Sequence, residues 1–177
     1  MNAKSGIAMA AVAAVAAAGL GACARTRGRP AGSVTAAQQF EKIKSLEGTW
    51  KTVPGSPMEA TIVYRAVGGG TTVQETIFPG APHEMVTMYH LDGDTLMLTH
   101  YCAAGNQPTM RALPSNDPSE IRWEFVRLSN GDPAKDMHMH DAVVRFGDDG
   151  HVRARWSGWE NGKPGGHDAE LETVRTQ

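Results

Sequence analysis

The chain has 177 residues, 41% hydrophobic and 20% charged, with 20 Gly, 10 Pro and 2 Cys. That size and mix suit one domain with a tail and exclude a coiled coil, a collagen and a largely disordered chain. A formal net charge of −2 offers no basic field to hold a phosphate backbone, so nucleic acid is not an expected partner. Two cysteines cannot staple a disulfide scaffold.

Residues 1–22 read as a secretory signal. Lys4 supplies the positive start, and Ile7 to Ala18 is an unbroken apolar run. The run is too short to span a hydrocarbon core, which takes about 20 helical residues. It leads into Leu20-Gly21-Ala22-Cys23, which resembles the bacterial lipobox. The resemblance implies cleavage before Cys23, lipidation of its thiol and a membrane as partner. Ala24 follows the cysteine where an inner-membrane retention signal would place Asp, so the expected address is the cell envelope, at the periplasmic face of the outer membrane. Several acyl chains hold a protein stably on a bilayer, where one does so only marginally. Residues 23–34, with Arg25, Arg27 and Arg29 among Gly and Pro, read as a linker. The domain is expected over 35–177.

Thr35 to Leu46 is predicted to be a helix. Phe40, Ile43 and Leu46 recur on one face, Ser33 or Thr35 provides the N-cap, and Gly48 ends it. Ten strands are predicted after it: 48–53, 59–67, 71–78, 84–90, 95–102, 109–113, 120–128, 137–146, 151–159 and 167–175. The separators are turn chemistry, including Asp92-Gly93, Asn130-Gly131, Asp149-Gly150 and Asn161-Gly162. Alternation accompanies them. Ile62, Tyr64 and Ala66 share a face away from Arg65, and Ile121, Trp123 and Phe125 alternate with Arg122 and Glu124. The expected fold is all-β: a roughly ten-stranded antiparallel up-and-down barrel with one short N-terminal helix.

The helix leading into Gly48-Thr49-Trp50, followed by meandering strands and a terminal Arg175, resembles the calycin group of lipocalins and fatty-acid-binding proteins. The resemblance implies that Trp50 and Arg175 pack together at the closed end. The runs Met88-Tyr89-His90, Thr99-His100-Tyr101-Cys102 and Met137-His138-Met139-His140, with Trp156 to Lys163, are also similar to those of small exported bacterial barrels. The lipocalin disulfide pair is missing.

For the hairpin at Asp92-Gly93 the expected pairs are Leu91 with Asp94, His90 with Thr95 and Tyr89 with Leu96. Both faces are apolar, and the reading places His100 and Cys102 inward, with Cys102 a buried, slowly reacting thiol. Tyr89, His100, Cys102, Arg111 and Trp123 are the expected pocket wall. Glu75 can face inward and bind a polar ligand or pair with Arg111. One of Trp156 and Trp159 is expected to face the cavity and the other the surface. His100, Cys102, His138 and His140 are the residues from which a metal or haem site would be built, although no short ligand motif accompanies them and no cofactor is expected. No nucleophile elbow or phosphate loop occurs, so catalysis is not expected. The leading function is a non-catalytic barrel that binds an apolar or amphipathic small molecule. The alternatives are a side-chain-filled barrel acting through its surface, and a metal- or haem-binding barrel.

Overall fold

The structure, a computed structural model, describes residues 32–176. The expected signal segment, the expected lipidation site Cys23 and the expected linker up to residue 31 lie outside the described residues. The first regular element is α1 (Ala36–Lys44). Thr35 caps it reciprocally with Gln38: the Gln38 N–H donates to Thr35 Oγ1 at 3.0 Å, and the Thr35 N–H donates to Gln38 Oε1 at 2.8 Å. Ala36, Phe40 and Ile43 form its buried face. Gln39 is buried with them because its amide donates to the Leu113 carbonyl at 3.2 Å.

The strands that follow are β1 (Gly48–Thr52), β2 (Thr61–Val67), β3 (Thr72–Ile77), β4 (Met85–Asp92), β5 (Thr95–Tyr101) and β6 (Gln107–Ala112). They continue as β7 (Glu120–Ser129), β8 (His138–Phe146), β9 (His151–Glu160), β10 (Lys163–Pro164) and β11 (Ala169–Arg175). Each pairs antiparallel with its neighbour, β9 pairs with both β8 and β11, and β11 returns to β1. The result is a closed ten-stranded barrel, with the two-residue β10 a flap on the end of β9. Closure leaves the ring no free edge.

The helix and the turns at 68–70, 93–94, 113–119 and 147–150 sit at one end, and the loops at 53–60, 78–84, 102–106 and 130–137 at the other. Trp50 and Arg175 are direct partners on β1 and β11, and the Arg175 guanidinium lies 4.7 Å from the Trp50 ring centre. The Trp50 indole N–H donates to the Leu46 carbonyl at 2.7 Å, while Arg175 donates to the carbonyls of Ser45 and Glu47. One arginine thus ties the last strand to the end of the helix and covers the buried indole.

The β4–β5 hairpin corrects the expected register. Asp92 pairs with Thr95, Leu91 with Leu96, His90 with Met97 and Tyr89 with Leu98, so Gly93 and Asp94 form the turn. Gly93 takes φ +56°, which makes the glycine, not Asp92, the first turn residue. The shift is two residues, so parity survives and His100 still points into the barrel, 3% exposed.

Candidate functional site

Cross-strand register builds one inward row. Tyr64 on β2 stands opposite Glu75 on β3, Glu75 opposite Thr87 on β4, and Thr87 opposite His100 on β5. Tyr64 donates its hydroxyl to Glu75 Oε1 at 3.0 Å, and Tyr89, from the next row, donates to Glu75 Oε2 at 2.5 Å. Thr87 Oγ1 is 2.9 Å from His100 Nδ1. Which of the two atoms donates depends on the tautomer of the ring.

Burial governs the protonation of this row. It raises the Glu75 carboxyl, against the opposing effect of the hydrogen bonds from Tyr89, Tyr64 and Thr87. Burial and the adjacent carboxyl keep both phenols protonated well above their usual range. His100 is lowered to about 4 by desolvation and is neutral at pH 7.

A second row faces the first. Trp123 on β7, Ala142 on β8, Trp156 on β9 and Ala169 on β11 are successive partners, so two indoles alternate with two small residues. Across the lumen, Tyr89 and Trp123 have ring centres 5.6 Å apart, and His100 and Trp156 have theirs 5.2 Å apart. Trp123 is 2% exposed, and its indole N–H has no acceptor among the described residues. A buried donor without an acceptor is costly, which makes it the most informative atom of the interior.

Two further clusters lie away from these rows. His138, buried on β8, has Nδ1 2.8 Å from the Asp136 carbonyl and Nε2 3.1 Å from His140 Nδ1. His140, which a bulge leaves without a cross-strand partner, stacks between Phe125 at 4.5 Å and Trp159 at 3.8 Å. Desolvation lowers the His140 pKa. Asp149, His151 and Glu172 have ligand atoms within 4.8 Å of one another, but Arg153 already pairs with both carboxylates there.

Of the expected pocket wall, Tyr89, His100 and Trp123 are buried inside. Arg111 is not: it is exposed on the outer face, 2.5 Å from its direct partner Glu124. Met110 and Ala112 occupy the inward positions of that strand, so parity turns Arg111 outward and leaves Glu75 with tyrosines in place of an arginine. Arg111 and Glu124 instead line an external groove of about 820 Å³ with Leu91, Leu96 and Leu113. Cys102 lies just past β5 and is half-buried where the Gly105 N–H donates to its carbonyl, so it is more open than expected. Trp156 is buried and Trp159 half-buried, as their parity predicts. No three of His100, Cys102, His138 and His140 come within 4.8 Å of one another. The sequence reading missed Tyr64 and Thr87 as partners of Glu75, although their alternation carried the signal. Comparison with known protein families and with curated proteins finds no match for the chain.

Proposed function

We propose that this chain is an exported barrel, anchored through lipidated Cys23 at the periplasmic face of the outer membrane, that binds a small apolar or amphipathic molecule and catalyses no reaction. The observation that carries the reading is the buried Trp123 N–H, which lacks an acceptor beside an otherwise satisfied polar row. Native interiors leave few polar groups unpaired, and a ligand oxygen would satisfy this one. Tyr89, Trp123, Trp156 and His100 supply the aromatic walls such a molecule would touch.

A second reading has its own support. The contacts from Tyr89 to Trp123 and from His100 to Trp156 cross the lumen, as they would in a barrel filled by its own side chains. Native mass spectrometry of the full chain from its own cell separates the two. The binding reading expects a small-molecule mass excess that disappears on denaturation. A mass of polypeptide and acyl groups alone favours the filled barrel. Cys23→Ser is expected to abolish lipid labelling, and labelling that persists in this variant contradicts the anchor.

A further inference from the structure

We propose, resting on the binding reading, that the interior accepts ligands that are uncharged or cationic and rejects carboxylates. The first observation is the sign of the interior. The buried polar residues among those described include one carboxyl, Glu75, and neither lysine nor arginine. Arg111, the inward cation that the sequence suggested, is paired outside with Glu124. Arg175 is exposed against the carbonyls at the helix end. An anion entering the lumen would lose its water, meet no countercharge and approach Glu75. An ammonium would meet the Glu75 carboxyl.

The second observation is hydrogen bonding. The buried Trp123 N–H asks for an acceptor, which a neutral hydroxyl or carbonyl oxygen provides. His100 is neutral at pH 7 and gives an anion no countercharge.

Three probes of one skeleton separate charge from shape: 2-naphthol, 2-naphthylmethylamine and 2-naphthoate, titrated calorimetrically into the full chain at pH 7. The naphthol and the amine are expected to bind at least tenfold more tightly than the naphthoate. Glu75→Gln is expected to weaken the amine at least tenfold more than the naphthol, and Trp123→Phe to weaken the naphthol at least threefold while keeping a ring in place. If Glu75→Gln does not fold, the unmodified chain still decides through the three-way ranking. Naphthoate binding as tightly as naphthol overturns the selectivity and leaves the binding reading standing. No binding by any of the three at millimolar concentration overturns the binding reading itself.

Discussion

His100 is neutral because desolvation is unopposed: no carboxylate touches the ring, and Thr87, which does, carries no charge. The unfolded chain takes up this proton near pH 6.5 and the folded chain only near 4. The contribution to stability is therefore complete above 6.5 and is lost as pH falls towards 4. A depression of that size corresponds to roughly 3 kcal/mol. Glu75 acts with the opposite sign: its raised pKa favours the fold at low pH and disfavours it as pH rises through the folded value. The two must be separated by difference. In denaturant unfolding of the wild type and His100→Gln between pH 7.5 and 4, the wild type should lose roughly 3 kcal/mol more than the variant. Parallel profiles would contradict the buried neutral imidazole.

At the scale of elements, the helix end of the barrel depends on a junction of α1, β1 and β11. Trp50 is 5% exposed, donates to the Leu46 carbonyl and lies under Arg175. Trp50→Ala removes the ring from three elements at once and should cost roughly 3–5 kcal/mol, read as a fall in unfolding free energy. An unchanged melting temperature would mean that the junction does not hold the end together. The strands and this junction were legible because period-2 alternation and Gly-containing turns are local signals, and because parity carries Arg175 to the correct face. The hairpin register was less legible. Asp92-Gly93 marks a turn but does not say which residue opens it, and the positive φ of Gly93 decides that only in the folded chain. Arg111 was misplaced for a related reason: its chemistry suited Glu75, but Met110 and Ala112 had already claimed the inward side.

At the scale of the molecule, ring closure makes the site. Glu75, Thr87 and His100 become neighbours through adjacent pairing, whereas the indole row meets them only because the sheet returns on itself through β8–β9 and β11–β1. No local sequence signal states that Tyr89 will reach Trp123 or His100 reach Trp156. That is why the residues of the site were partly legible and their contacts were not. The electrostatics follow from the same closure. Arg122, Arg145, Arg153 and Arg155 pair with Glu120, Glu172 and Asp168 on the outer face, and Glu75 is the single buried carboxyl among the described residues. The binding proposal turns on the Trp123 N–H, which has no acceptor among the described residues. Proton–nitrogen NMR of the four indole N–H groups, each assigned by Trp→Phe substitution, tests it directly. Titration with 2-naphthol should move the Trp123 signal downfield, as a new hydrogen bond forms, and leave Trp50, bonded to Leu46, in place. A Trp123 signal that stays fixed while the chain saturates with naphthol would contradict a ligand bond at this N–H.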